Sequence, residues 1–147
     1  MKQVCVLLNG AIVNDSRVIK TIKTLSNSVQ VDLFYVSGST ENKNIFNENV
    51  QLFSFSRDKT SIKTKIIKHS CFYNEFLFFV DEVLKQEKKY DYIFCNDLPT
   101  LKPGYLLKLK LGSKLIYDSH EIFTGTINQF FPDNAIFLKS LVFKFLI

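Results

Sequence analysis

The sequence predicts an α/β domain built on an open parallel sheet, and three observations lead there. Short continuous apolar runs, such as Val4-Cys5-Val6-Leu7-Leu8 and Tyr92-Ile93-Phe94-Cys95, lack the alternation of half-solvated strands and read as strands buried on both faces. Stretches with apolar residues at helical spacing separate the runs, as crossovers between parallel strands require. Each run closes on polar or turn-forming residues, among them Asn9-Gly10, Ser37-Gly38-Ser39 and Asn96-Asp97.

Taken in order, Val4 to Leu8 is the first strand, and Asn14 or Asp15 then caps a helix in which Val18, Ile19, Ile22 and Leu25 share a face. Val29 to Val36 is the second strand, Thr40 to Asn49 an Asn-rich polar loop, and Val50 to Phe55 the third strand. A basic connection, Arg57 to Lys68, leads into a long helix reaching to Lys88 or its neighbours. At about 100° per residue, Ile62, Ile66, Phe72, Phe76, Phe79, Val80 and Val83 fall on one face of it, with Ile67 and Phe78 near the opposite face. Tyr92 to Cys95 is the fourth strand. Thr100 to Leu111 is helical, with Pro103 in its first turn, where a missing N–H does little harm, and Gly112 at its end. Lys114 to Tyr117 is the fifth strand, closed by Asp118-Ser119-His120-Glu121, and a last apolar helix is expected over Asn134–Ile147. Right-handed crossovers then give a Rossmann-like open parallel sheet of about five strands, order 3-2-1-4-5, with helices on both faces.

Composition bounds the function. A chain of 147 residues makes one domain, and 46% hydrophobic against 22% charged residues supports a packed core and excludes global disorder. Nineteen Lys plus Arg against fourteen Asp plus Glu give a net +5, too mild for a dedicated nucleic-acid binder. Phosphate-bearing ligands and an anionic membrane surface remain as partners, the latter through the basic Arg57–Lys68 run. Cys5, Cys71 and Cys95 have neither an even count nor CxxC spacing, so neither a disulfide framework nor a zinc site is expected, and the compartment reads as reducing. No run approaches the ~18 apolar residues of a membrane span, and the apolar start is too short for a secretory signal. The expected location is cytoplasmic, peripheral at the inner face of the membrane if the basic run docks there.

With strand order 3-2-1-4-5, ligands belong beyond the carboxyl ends of the first and fourth strands, where the order reverses. Asn9-Gly10, Asn96-Asp97 and Asp118 to Glu121 gather there. Gly10 either permits a tight turn or lets a ligand approach the backbone. Asp15 reads as a helix cap. Arg17, in a first helical turn where positive charge is disfavoured, either pairs with Asp15 or helps hold an anion. Asp97 serves as a cap or a site residue. His120 follows a buried strand between Asp118 and Glu121, carboxylates that favour imidazolium or fix the ring's tautomer, and it is the candidate catalytic group; His69 reads as structural. The chain contains no GxGxxG, no GxxxxGK[ST] and no GxSxG, which removes the dinucleotide fingerprint, the P-loop and the hydrolase elbow. Two histidines spaced far from the cysteines do not make a transition-metal site.

Three segments in order, Asn14-Asp15-Ser16-Arg17-Val18, Asn96-Asp97-Leu98-Pro99-Thr100-Leu101 and Ile116-Tyr117-Asp118-Ser119-His120-Glu121-Ile122-Phe123, resemble the amino-terminal domain of group 1 (family 4-like) glycosyltransferases. The resemblance runs over essentially the whole chain, residues 1–147, and implies the amino-terminal half of a GT-B architecture. It implies retaining, metal-independent transfer of a sugar from a nucleotide-sugar donor to a glycan or lipid-linked acceptor in cell-surface polysaccharide synthesis, with no cofactor. Gly10 would lie by the donor phosphates, His120 would face the transferred sugar, and Arg17, Asn96, Asp97 and Glu121 would bind or line the same pocket. Many relatives carry His-Asp where this chain has Asn96-Asp97. The chain is expected to stop inside the first domain, without the nucleotide-sugar domain, so that it is inactive alone or works with a separate carboxyl-terminal-domain chain. The alternative is a non-catalytic α/β module that binds a partner through the apolar helix over Asn134–Ile147. A receiver-like domain would need an acidic cluster after the first strand, where Asn9-Gly10 offers none.

Overall fold

The computed structural model describes residues 1–37, 45–56 and 78–119. The expected basic connection, His69, Cys71, most of the long helix, His120, Glu121 and the last apolar helix lie outside the described residues. The five strands are β1 (Gln3–Leu8), β2 (Gln30–Ser37), β3 (Val50–Ser56), β4 (Tyr92–Asn96) and β5 (Lys114–Asp118), and the helices are α1 (Ser16–Leu25), α2 (Phe78–Leu84) and α3 (Leu98–Leu111). The strands form one sheet in the order β3-β2-β1-β4-β5, every pair parallel. This is an open α/β, Rossmann-like sheet.

Alternation along β1 divides the core. Val4, Val6 and Leu8 face a layer closed by Ile12, Val18 and Ile22, which α1 and the 3-10 turn before it supply. Cys5 and Leu7 face the other layer, with Phe79, Val80 and Val83 of α2 and Leu107 of α3. Helices therefore cover both faces, and Val4 to Leu8 are all buried because β1 lies between the layers and between two strands. Toward the β3 side, Phe34 stacks on Phe53 with ring centres 4.5 Å apart, and Phe55 meets Phe79 edge-on at 6.3 Å. Phe78, expected on the polar side of its helix, instead stacks on Phe79 at 4.4 Å and meets Phe55 edge-on at 5.8 Å. The wheel misplaces it because the aromatic cluster of Phe55 and Phe79 reaches around to that side.

Other boundaries also shift for local reasons. α2 stops at Leu84 rather than near Lys88, and Glu87 takes a left-handed φ of 52° before the chain turns into β4. Lys88 then leaves the helix to meet Asp32, a carboxylate buried in β2: the ammonium lies 2.7 Å from Oδ2, and the Tyr90 hydroxyl donates to the same oxygen at 2.7 Å. The Ser113 hydroxyl donates to the Tyr90 carbonyl at 2.6 Å, joining the start of β5 to the same knot. α3 begins at Leu98, two residues earlier than Thr100, so Pro103 is an interior residue and removes one intrahelical hydrogen bond. Thr100 offsets part of this at the helix start, its hydroxyl donating to the Asn96 carbonyl at 2.6 Å and lying 2.9 Å from that of Asp97. Gly112, at φ 69°, closes the helix, its N–H donating to the Lys108 carbonyl at 2.9 Å.

α3 lies directly on β4 because Gly104 carries no side chain: a Cβ there would collide with the Cys95 sulfur and crowd Leu115 Cδ1 at 3.2 Å. Gly104→Ala adds about 1 kcal/mol of helix propensity, yet overpacking costs about 1–3 kcal/mol. A net loss of stability is expected in urea denaturation, and at least half of it is regained on a Cys95→Ala background. A stabilised Gly104→Ala protein would contradict the packing.

Burial also holds three weak acids in their protonated forms. Burial pushes the Cys95 thiol up to about 12 from its ordinary 9.0, and burial, then the neighbouring Cys95 and Asp32, holds Cys5 well above its usual range. Tyr90 is raised by burial and by its hydrogen bond to Asp32. Above an ordinary thiol pKa the unfolded chain releases protons that the folded chain keeps. Stability therefore falls as pH rises from about 9, by up to about 1.4 kcal/mol per pH unit for each group. Denaturant midpoints measured between neutral pH and about pH 11 should show this decline, and a flat profile would refute it.

Candidate functional site

The loop after β1 leads toward β2 on one side of the sheet, and the loop after β4 leads toward β5 on the other, so the strand order reverses between their carboxyl ends, the position where open parallel sheets bind ligands. Leu8, Asn96 and Asp118 stand side by side in the last paired row of β1, β4 and β5. Asn96 and Asp118 are therefore the final residues of their strands rather than the start of loops, and Asn9, Gly10, Asp97 and Ser119 follow directly at the same edge.

Asn96 is 2% exposed, and its side-chain amide donates to the Leu7 carbonyl at 3.1 Å. The amide ties the carboxyl ends of β4 and β1 together, which makes Asn96 a brace between the two strands at the switch point. Asp97 takes φ 71° and ψ 153°, a region essentially reserved for glycine. The hydrogen bonds of Thr100 to the Asn96 and Asp97 carbonyls hold this turn, which places Asp97 at the sheet edge ahead of α3. Strain of this kind, kept at a sheet's ligand-binding edge, is a mark of functional geometry.

Gly10 follows β1 at this edge. Its φ lies outside the left-handed region, and an added Cβ would meet nothing within 4 Å, so the turn itself does not demand a glycine. Asp15 caps α1, accepting from the Arg17 and Val18 N–H groups at 3.1 Å each. Arg17 pairs with the same carboxylate at 3.3 Å and is half exposed, so the contact contributes little stability. The chain leaves β5 through Ser119 directly into His120 and Glu121, which lie outside the described residues. Among the described residues no group of three or more His, Cys, Asp or Glu is placed to hold a metal ion, and no helix is long and apolar enough to cross a membrane.

One further feature had a weak sequence signal and another had none. Asp32, the one charged residue within the apolar run from Val31 to Val36, marked a buried partner that the sequence did not name. The strain at Asp97 had no signal, since residue type does not encode a backbone torsion.

These observations define the class: an α/β domain with polar residues gathered at its topological switch point. Neither a protein-family model nor a curated protein sequence matches the chain. Among solved structures it is similar to the C-terminal domain of a hydrogenase from Pyrococcus furiosus, with 11% identity over 80% of this chain and 91% of that chain and a TM-score of 0.54. At that identity the likeness concerns the fold alone.

Asp97→Gly relieves the backbone strain and is expected to raise unfolding free energy by about 1 kcal/mol. A urea titration reads the change directly. A loss of stability would mean that the aspartate side chain holds the turn and that the torsion stores no strain.

Proposed function

We propose that this chain is the acceptor-side domain of a retaining, metal-independent glycosyltransferase, which transfers a sugar from a nucleotide-sugar donor to a glycan or lipid-linked acceptor. The carrying observation is the switch point between the ends of β1 and β4, where Asn96 is locked to Leu7 and Asp97 is held in a glycine-type conformation. The three segments that resemble family 4-like glycosyltransferases also meet this edge or the helix beside it: the β1–α1 connection, the β4–α3 turn and the end of β5.

In this reading the anomeric carbon's bond to the diphosphate oxygen breaks, and a bond to the acceptor oxygen forms on the same face of the sugar. The acceptor's proton leaves with the departing phosphate. The domain's task is to orient the acceptor and stabilise the charge that builds on the diphosphate. Gly10 leaves room for close approach, and Arg17 lies at the start of α1 near that loop. By the resemblance, Asp97 and Glu121 would line or brace the pocket, and His120 would face the transferred sugar.

Titrating the isotope-labelled chain with nucleotide sugars and candidate acceptor glycans, followed by amide NMR, tests the reading. Shifts confined to Asn9, Gly10, Arg17, Asn96, Asp97 and Asp118 to Glu121 are expected, and shifts elsewhere or none would remove it. In an enzyme complete with a nucleotide-sugar-binding domain, His120→Ala should lower turnover by about a hundredfold or more. Unchanged turnover would take His120 out of the site.

A further inference from the structure

The opposite edge of the sheet carries a second feature. A cleft of about 720 Å³ opens where β1, β4 and β5 begin, and its lining includes Gln3, Lys88, Lys89, Asp91, Gly112 and Lys114. Its charges do not cancel. Asp91 is the one carboxylate in that lining, and its Oδ2 accepts from the Gln3 N–H at 2.8 Å. Lys88 is committed to Asp32 at 2.7 Å and to Gln51 at 3.0 Å. Lys89 and Lys114 are exposed.

The Lys114 ammonium lies 5.9 Å from the centre of the Tyr92 ring, and that of Lys2 lies 5.5 Å from the same centre. Tyr92 pairs with Val4 of β1 on one side and with Lys114 of β5 on the other, and Lys2 lies just before β1, so both cations sit near the same ring. The ring's face attracts each of them but carries no net charge of its own.

We infer that this edge binds a phosphate-bearing anion, held by Lys89 and Lys114 of the cleft lining, with Lys2 beside the lining at the Tyr92 ring it shares with Lys114. Ammonium groups on flexible stems suit phosphate oxygens approached from several directions. Two or three cations match a group with at least two negative charges, a diphosphate or a phosphorylated headgroup. This site does not depend on the reading of the carboxyl edge.

The test uses the whole chain with two probes: inorganic pyrophosphate in solution, and phosphatidylcholine vesicles with and without phosphatidylinositol 4-phosphate. Saturable amide shifts at Lys89, Tyr92 and Lys114 with pyrophosphate would assign a free diphosphate. Binding to the anionic vesicles alone would assign a lipid headgroup. In either case Lys89→Glu with Lys114→Glu should weaken binding about tenfold or more, and so should raising salt from about 50 mM to about 0.5 M. Lys20→Glu with Lys23→Glu, the same charge change on exposed positions of α1, should leave binding within about twofold. The salt series on the unmodified chain gives an answer even if the first variant folds poorly. Binding to neither probe, or equal weakening by the α1 variant, overturns the inference.

Discussion

The carboxylate of Asp32 sets where the second half of the chain can go. It is 6% exposed in the apolar strand β2, and a buried charge without partners costs several kcal/mol. Both partners, Lys88 and Tyr90, come from the stretch between α2 and β4. Satisfying Asp32 therefore brings the chain back to the amino end of the sheet, and β4 starts beside β1 rather than beside β3. Ser113 then fastens the entry to β5 onto Tyr90. These contacts fix the amino end of the crossover at the edge where β4 and β5 begin.

How much of this was legible depends on the kind of signal. The strands could be read because parallel strands buried on both faces are written as unbroken apolar runs, and all five lie within a residue or so of their expected limits. Their order follows from chain connectivity and crossover handedness. The helix ends were harder. Thr100 looked like a start because Leu98 and Pro99 resemble a loop, yet Pro99 fits the first turn and Pro103 is tolerated inside. Phe78 misled because a wheel assumes one flat packing surface, whereas Phe55 and Phe79 make a pocket around it.

The site was legible as a location more than as a mechanism. Polar residues ending apolar strands marked the carboxyl edge, and Asn9, Gly10, Asn96, Asp97 and Asp118 do meet there. What each contributes depends on torsions and partners that residue type alone does not encode. Asn96 is a brace because its amide reaches Leu7, and Arg17 belongs with Asp15 because a helix cap happens to place the carboxylate within its reach. The amino edge could not be read at all, since Lys2, Lys89 and Lys114 are far apart in sequence and meet only through the sheet's register.

The contact between Gly104 and Cys95 carries a consequence for how such a chain can drift over evolutionary time. The helix and strand there share one fixed volume, so residues 95 and 104 are not separate positions under mutation. A larger residue on the helix becomes admissible only after the strand residue has shrunk, and the reverse order passes through a misfit. Divergent descendants of this domain should therefore carry compensated pairs at these two places, with changes in one constrained by the history of the other.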